Sequence, residues 1–216
     1  NRGNLVWSAT GEEINHQWGK SWAAEQLLSR YIERELLPDF HWFSILQPLS
    51  DVLIFELLRD AGDRVLLTHS CNVQKPWCMR CAKCSYVALG YAAHLPDGVY
   101  ERVFSTDVLD LPENELYFRQ MIGLGEHTPF ECIGEMDEAR LALALCAARG
   151  RRSRAVRMFQ REGGGLDLAR VLSQYATLHE DEPHGIPSRL ARRVLPIMRA
   201  AAATARERIT ATLQAP

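Results

Sequence analysis

The sequence predicts an α/β fold for its first 90 residues and a mainly helical fold for the remainder. Three short apolar runs, LVWSA, HWFSIL and DRVLLTHS, alternate with two longer segments whose apolar residues recur at helical spacing. Strands and helices that alternate along a chain build a parallel sheet covered by helices, so this order predicts a βαβαβ arrangement. We therefore expect an α/β part at residues 1–90 and a mainly helical region at residues 91–216.

Local signals justify each element of the first part. The helix at residues 15–37 begins at Asn15, whose side chain suits an N-cap, and Pro38 stops it. The helix at residues 49–62 ends at Gly62, a residue typical of the position just past a helix. The predicted strands cover residues 5–9, 41–46 and 63–70.

The second part consists of helical segments interrupted by one distinctive loop. The loop GEHTPFECIGE, at residues 125–135, contains turn residues and a cluster of reactive side chains. Basic residues crowd the stretch from Arg149 to Arg161. Such a run is usually a solvated face, and a phosphate-binding surface is the alternative. The helical segments are SYVALGYAAHL, LPENELYFRQMIGL, MDEARLALALCAAR, LDLARVLSQYATLH and SRLARRVLPIMRAAAATARERITATL.

Composition excludes several classes of protein. The 216 residues are 47% hydrophobic, which is enough for a sizeable core, and the net charge of −2 gives no reason to expect nucleic acid as a partner. No apolar run approaches the roughly 18 residues that a membrane helix needs, so we expect no membrane partner. The simplest compartment is a reducing cytoplasm. The chain begins with Asn1 rather than Met, and we expect it to be a fragment of a longer protein.

Four cysteines in the stretch SCNVQKPWCMRCAKC predict a metal site. Two x2 spacings follow an outlying cysteine seven positions earlier, and thiolates spaced in this way can close around one ion, usually zinc. Four protein ligands leave no open coordination position, so the role of the zinc is structural. The predicted ligands are Cys71, Cys78, Cys81 and Cys84.

Other interpretations of the four cysteines remain open. An iron–sulfur cluster also favours C-x2-C-x2-C, but the bacterial ferredoxin run continues with x3-C-P, which is absent here. Disulfides are disfavoured because adjacent x2 spacings give poor geometry, and four buried free thiols are the simplest alternative.

Five ordered motifs together resemble one family. The motifs N-R-G-N-L, E-I-N-H-Q-W-G-K-S, F-S-I-L-Q-P-L-S, S-C-N…W-C-M-R-C-A-K-C and P-F-E-C-I-G span residues 1–135. They resemble the UDP-N-acetylmuramoyl-L-alanyl-L-glutamate epimerase family of bacterial peptidoglycan synthesis. More broadly, the chain is similar to the C-terminal half of PP-loop ATP pyrophosphatases, including the enzymes that make 7-cyano-7-deazaguanine.

The resemblance implies an enzyme that depends on ATP and Mg²⁺. Such an enzyme inverts the terminal L-glutamate of the UDP-muramoyl dipeptide to D-glutamate. The implied fold is the Rossmann-like fold of PP-loop (HUP-type) proteins, with the ATP-cradling loop expected upstream of Asn1.

Three side chains are candidates for proton transfer. Inversion at Cα requires that a proton is removed on one face and delivered on the other. Cys132 is the first candidate because it lies in a polar loop beside Glu131, which is the alternative base. His16 could contact phosphate or serve as the second acid or base. The alternative for Cys132 is a small buried apolar residue, and for Glu131 a cap or salt bridge.

A polar cluster at a strand–helix junction is the candidate binding site. Ligands of open α/β sheets bind at this end of the strands, and N–H groups at a helix terminus favour phosphate or carboxylate. For Asp51, an ordinary acid in the first turn of a helix is the favoured interpretation. The predicted substrate- and ATP-binding residues are Asn15, Gln17, Lys20, Ser21, Ser44 and Gln47.

Two other functions are considered. The first is another PP-loop enzyme that adenylates a carboxylate or amide, such as a deazaguanine-type nitrile synthase. In such an enzyme we can name no function for the P-F-E-C loop, residues 129–132. A zinc-stabilised binding module for nucleic acid or protein would be expected to carry a basic stripe with aromatic residues, whereas the pI is 6.4.

Overall fold

A computed structural model describes residues 4–7, 12–15, 17–127, 129 and 131–215, with the backbone alone for the first two ranges. Residues 4–7 and 12–15 form an antiparallel pair of strands, β1 (Asn4–Trp7) and β2 (Glu12–Asn15). Asn4 lies opposite Asn15, and Trp7 lies opposite Glu12. Residues 5–7 of the predicted first strand form part of β1, and residues 8 and 9 lie outside the described residues. The partner strand is antiparallel and adjacent in sequence, not parallel.

The predicted parallel sheet of a Rossmann-like PP-loop domain is wrong. In the described chain, residues 41–44 have no regular secondary structure and residues 45–46 belong to a turn. Residues 63–67 belong to the irregular 3₁₀ segment Arg59–Leu67. A strand inside a parallel sheet is buried on both faces. The side chains of Trp42 and Ile45 are instead exposed, which is why the run HWFSIL does not become such a strand.

Helices form most of the described structure. The long helix predicted at residues 15–37 is divided, since it begins only after Ser21 and continues beyond Tyr31 as a π-helical turn, Ile32–Leu36. The helices are α1 (Trp22–Tyr31), α2 (Asp51–Leu58), α3 (Ala82–His94), α4 (Val99–Val103), α5 (Glu115–Met121), α6 (Met136–Ala148), α7 (Arg154–Glu162), α8 (Leu168–Tyr175) and α9 (Ser188–Gln214).

Helix α3 is the centre of the core. Every residue from Cys84 to His94 is buried, as expected for a helix that is covered on all sides. It packs most extensively against α6 and also contacts α2, α4 and α5. The cysteine stretch leads directly into this helix, so the candidate metal site is attached to the most buried element of the protein.

Helix α9 packs against α2. Ala202 and Ala205 pack with Leu53 in a small apolar cluster, where their short side chains allow the two helices to approach closely. The same helix also contacts α6. Among the residues that the structure describes, no helix is both long enough and apolar enough to cross a bilayer.

Candidate metal centre and active site

The four predicted metal ligands come together. The Sγ atoms of Cys71, Cys78, Cys81 and Cys84 all lie within 4.8 Å of one another. The Cys71–Cys81 and Cys78–Cys84 pairs are 4.0 Å and 3.8 Å apart. Thiolates arranged as a tetrahedron around zinc at about 2.3 Å are about 3.8 Å apart. The cluster therefore has the size and the donor set of a closed metal site.

Backbone N–H groups prepare the cluster for negative charge. Val73 and Gln74 donate to the Cys71 Sγ at 3.4 and 3.3 Å, and Cys84 donates its N–H to the Cys81 Sγ at 3.4 Å. Burial opposes ionisation, but the N–H donors lower the pKa of Cys71 to about 6. Burial raises the pKa of Cys81 to about 11. Because a bound cation stabilises thiolates, metal binding would release protons from the less acidic thiols.

The four-cysteine cluster positions a lysine. Cys81 caps the N-terminus of α3, and Lys83 lies in the first turn of that helix, between two of the cysteines. The Lys83 ammonium donates a hydrogen bond to the backbone carbonyl of Cys132, 49 residues further along the chain. This contact between Lys83 and the P-F-E-C loop was not predicted from the sequence.

The P-F-E-C loop is held by donors from separate parts of the chain. Asn72 Nδ2 donates to a carboxylate oxygen of Glu131 at 2.9 Å, and Gln17 Nε2 donates to the carbonyl of Ile133 at 3.3 Å. Residues 131–133 have no regular secondary structure, so these contacts and that of Lys83 fix their position. The Cys132 side chain is half-buried at this place.

Lys83 is near several other ionisable side chains of the candidate site. Burial lowers the pKa of Lys83, and the nearby Lys20 ammonium lowers it further. Asp51, Cys132 and Glu131 act in the opposite direction. Gln17 links Lys20 to the P-F-E-C loop, because its side-chain oxygen accepts from Lys20 and its side-chain nitrogen donates to the Ile133 carbonyl.

A cavity of about 490 Å³ lies beside this region. Lys20 Nζ, at its wall, is 3.1 Å from the Gln17 side-chain oxygen. The buried carboxylate of Glu25, which the sequence did not single out, also lines the cavity and accepts the Ser44 N–H at 2.7 Å. Four of the predicted binding residues line this cavity, namely Lys20, Ser21, Ser44 and Gln47.

A second cavity, of about 470 Å³, shares part of that wall. Lys20, Ser21 and Gln47 line both cavities, and the second extends towards α6 and α8. There, the Tyr175 hydroxyl donates to a carboxylate oxygen of Glu135 at 2.7 Å. Together the cavities form an extended polar surface around Lys20.

The other predicted site residues have different outcomes. Asn15 is the last residue of β2, so its predicted role as a helix N-cap is wrong, and Ser21 caps α1 instead by accepting the Ala24 N–H. Gln17 is buried and holds the loop. His16 lies outside the described residues. Asp51 is in the first turn of α2 as predicted, and it also accepts a hydrogen bond from the Tyr86 hydroxyl at 2.9 Å.

Glu138 connects two helix N-termini beneath the site. One carboxylate oxygen accepts the Val52 N–H of α2 at 3.2 Å, and the other accepts the Glu135 N–H at the start of α6 at 2.8 Å. Burial and the neighbouring Asp51 carboxylate raise the pKa of Glu138 to about 8, although the two N–H donors act against this.

We expect Glu138 to make the protein less stable as the pH rises. In the unfolded chain it ionises near pH ~4.3, whereas in the folded protein it keeps its proton until about 8. Its contribution is therefore fully present below the unfolded pKa and is lost progressively up to the folded pKa. Between about pH 5 and about pH 8, the free energy of unfolding should fall by at least about 1 kcal/mol relative to Glu138→Gln. Urea denaturation at several pH values measures this difference. The exposed Glu113→Gln variant is the control and should follow the wild type; parallel wild-type and Glu138→Gln curves would contradict the assignment.

Comparisons with known proteins match the family that the sequence motifs resemble. The model of the MurL N-terminal domain matches residues 1–45, and the model of the MurL C-terminal domain matches residues 66–164. No solved structure matches the chain.

Curated relatives carry one name, UDP-N-acetyl-alpha-D-muramoyl-L-alanyl-L-glutamate epimerase. The protein from Salinispora tropica is 36% identical over 149 residues, covering 66% of this chain and 32% of the relative. The protein from Xanthomonas oryzae pv. oryzae is 32% identical over 146 residues, covering 63% and 32%. A Micromonospora protein is 34% identical over 151 residues, covering 67% and 33%. The chain thus spans about a third of the length of the curated relatives it matches. With both domain models matched in order along two thirds of its residues, the chain belongs to the MurL family.

Proposed function

We propose that this chain forms part of an enzyme that inverts the terminal L-glutamate of UDP-N-acetylmuramoyl-L-alanyl-L-glutamate to D-glutamate. Membership of the MurL family and the names of the relatives support this activity. The observation that carries the proposal further is the meeting of the P-F-E-C loop, Lys83 and the cavity around Lys20. This arrangement supports a site in which Cys132 acts as the acid–base group, Lys20 and Lys83 supply positive charge, and the cavity beside Lys20 receives the substrate.

The chemistry explains why ATP is part of the proposal. The Cα–H of glutamate is a very weak acid while its carboxylate is ionised, because proton removal builds a second negative charge on the same group. Transfer of AMP to that carboxylate, with release of pyrophosphate, removes the first charge and makes the acyl group an electron sink. An ordinary side chain can then remove the proton. Mg²⁺ would arrive with ATP and, with Lys20, would offset the charge of the phosphates.

Cys132 and Glu131 are the proposed acid–base pair. Lys83 holds the carbonyl of Cys132, and Asn72 holds the Glu131 carboxylate, so both groups have fixed positions in the loop. One removes the Cα proton, and a group on the opposite face returns a proton to give the inverted centre. Water then hydrolyses the acyl-adenylate, which restores the carboxylate as D-glutamate and releases AMP. His16 remains a proposed partner for the second transfer.

The four-cysteine cluster is proposed to hold structural zinc. Its four sulfur donors and their spacing fit a tetrahedral site without an open position. Zinc would supply cross-linking rather than reaction chemistry, and through Cys81 and Cys84 it would fix the first turn of α3, which carries Lys83. A reducing cytoplasm, where the thiols stay unpaired and the nucleotide-linked precursor is made, is the proposed location.

An isotope-exchange assay tests the proposed function. The full-length enzyme is incubated with UDP-muramoyl-L-alanyl-L-glutamate, ATP and Mg²⁺ in heavy water. We expect deuterium at the glutamate Cα, formation of D-glutamate and release of AMP. Cys132→Ala should lower the exchange rate by at least about 10²-fold, the usual contribution of a general acid or base. Cys146→Ala, which changes a buried thiol in α6, is the matched control and should retain exchange.

Different outcomes assign different roles. AMP release without deuterium exchange in the wild type would indicate another adenylating enzyme. Exchange that survives in Cys132→Ala and is lost in Glu131→Gln would make the carboxylate the essential base.

A further inference from the structure

A third cavity, lined by basic side chains, lies at the C-terminal end of α3. It has a volume of about 240 Å³ and is lined by the side chains of three arginines from different elements. Arg59 follows α2, Arg149 follows α6, and Arg208 lies in α9. Along α3, His94 at this end is about 16 Å from Lys83 at the other, since a helix rises about 1.5 Å per residue. The cavity is therefore separate from the candidate active site.

Two of the arginines, Arg59 and Arg149, cap the C-terminal end of α3. Arg149 Nη1 lies 2.9–3.1 Å from the carbonyls of Ala92, Ala93 and Leu95, and Arg59 Nη1 donates to the His94 carbonyl at 2.7 Å. These contacts satisfy the carbonyls that a helix leaves unpaired at its end. They use one nitrogen of each guanidinium and orient the two groups rigidly beside the cavity.

Acidic groups offset only part of the positive charge. Glu56 is buried between His94, whose Nδ1 is 2.8 Å away, and Arg208, whose Nη2 is also 2.8 Å away. Asp97 pairs with Arg149 but is fully exposed, so solvent screens its charge. Burial lowers the pKa of Arg59, and the repulsion of Arg208 and Arg149 lowers it further, while Glu56 and Asp60 compensate in part.

Two buried atoms at this cavity have no hydrogen-bond partner among the described residues, the Nε of Arg208 and the Oε2 of Glu56. A buried donor without a partner costs free energy, about 1–3 kcal/mol in proteins, and such groups are rare in native structures. The Nε of Arg208 therefore leaves one donor in a side chain that lines the cavity open to an acceptor, while Glu56 pairs with the Nη2 of the same guanidinium.

The arginines of the basic stretch Arg149–Arg161 have two different environments. Arg149 lines the cavity. Arg151, Arg154 and Arg157 instead pair with Glu101, Glu115 and Asp110 at the surface. Most of this basic stretch is therefore a solvated face, whereas its first arginine belongs to the cavity.

We propose that the cavity lined by Arg59, Arg149 and Arg208 binds an oxyanion, the phosphate or carboxylate group of a small molecule. Planar guanidinium groups offer paired N–H donors that match the oxygens of both anions. Binding at this place joins α2, α3, α6 and α9 through one ligand, and it requires none of the residues assigned to the epimerase reaction.

Calorimetric titration of the full-length protein tests the proposal, with inorganic phosphate, pyrophosphate and L-glutamate as separate probes. We expect at least one probe to bind with a dissociation constant of about 1 mM or lower. Arg208→Gln should weaken this binding by at least about tenfold, because it removes a charged donor. Arg206→Gln, on the exposed face of the same helix, is the matched control and should change affinity less than about twofold.

A second variant leaves all three arginines in place. Thr212 also lines the cavity, and Thr212→Glu would introduce a negative charge that repels the anion. It should abolish binding, whereas Thr204→Glu at an exposed position of α9 should not. Absence of binding by every probe, or equal affinity of the wild type, Arg208→Gln and Thr212→Glu, would overturn the proposal. Because epimerisation is measured separately in these variants, failure of this site is distinguishable from failure of the proposed function.

Discussion

Removal of metal from the four-cysteine cluster is expected to unfold the start of α3 and to destabilise the whole core. Cys71 and Cys84 are fully buried, and both belong to the main apolar cluster. Structural zinc contributes about 10–16 kcal/mol to small metal-binding domains, which is comparable to the entire stability of a typical domain, about 5–15 kcal/mol. Chelation should therefore lower the melting temperature sharply and reduce the helical circular dichroism signal.

Cysteine variants provide the control for this result. Cys84→Ser should bind less than one equivalent of zinc by elemental analysis and should melt at a lower temperature. Cys146→Ala changes a buried cysteine outside the cluster and should retain the full equivalent. A chelated protein that melts like the untreated one would show that the cluster consists of ordinary buried thiols.

Substitution of Lys83 is expected to reduce epimerisation without unfolding the protein. Lys83→Met keeps much of the length and apolar stem of the side chain but removes the ammonium group that holds the Cys132 carbonyl. A displacement of a reacting group by about 1 Å can cost about 10²-fold in rate. We expect a decrease of this size in kcat, a smaller change in KM, and partial recovery in Lys83→Arg. Steady-state kinetics of the full-length enzyme measures all three effects.

Arg80 is the matched control for Lys83. It lies in the same cysteine stretch, but its side chain is exposed and makes only a surface contact with Glu113 at 3.7 Å. Arg80→Gln should remain within about twofold of wild-type activity, as expected for surface ion pairs. If Lys83→Met lost zinc or melted early, the lysine would support the fold rather than the reaction.

The cysteine cluster was predictable because its determinants are local. Residue identity and spacing in 14 consecutive positions, 71–84, are enough to bring four sulfurs together, and the structure confirms that they meet. The same holds for the first turn of α2, where Ser50 caps the helix and Asp51 follows. Several polar residues predicted to share a binding site also line one cavity.

The parallel sheet was predicted wrongly, because a local sequence pattern does not determine whether a segment pairs into a sheet. A short apolar run is compatible with a buried strand or with a segment of helix, and only its partners decide between them. The run DRVLLTHS illustrates this, because Val65 is buried while Leu67 is exposed and the backbone forms a 3₁₀ segment. The role of Lys83 was missed for a related reason, since its acceptor lies 49 residues away in a loop.

The position of residues 131–133 in the P-F-E-C loop depends on three anchors from other parts of the fold. Side chains of Gln17, Asn72 and Lys83 each hold one of three successive residues, 131–133, and they come from widely separated parts of the chain. A nascent or partly folded chain already contains the Cys132 thiol, but it lacks the placement that these three donors provide. If Cys132 acts as proposed, its placement for proton transfer is therefore a property of the completed fold rather than of the motif alone.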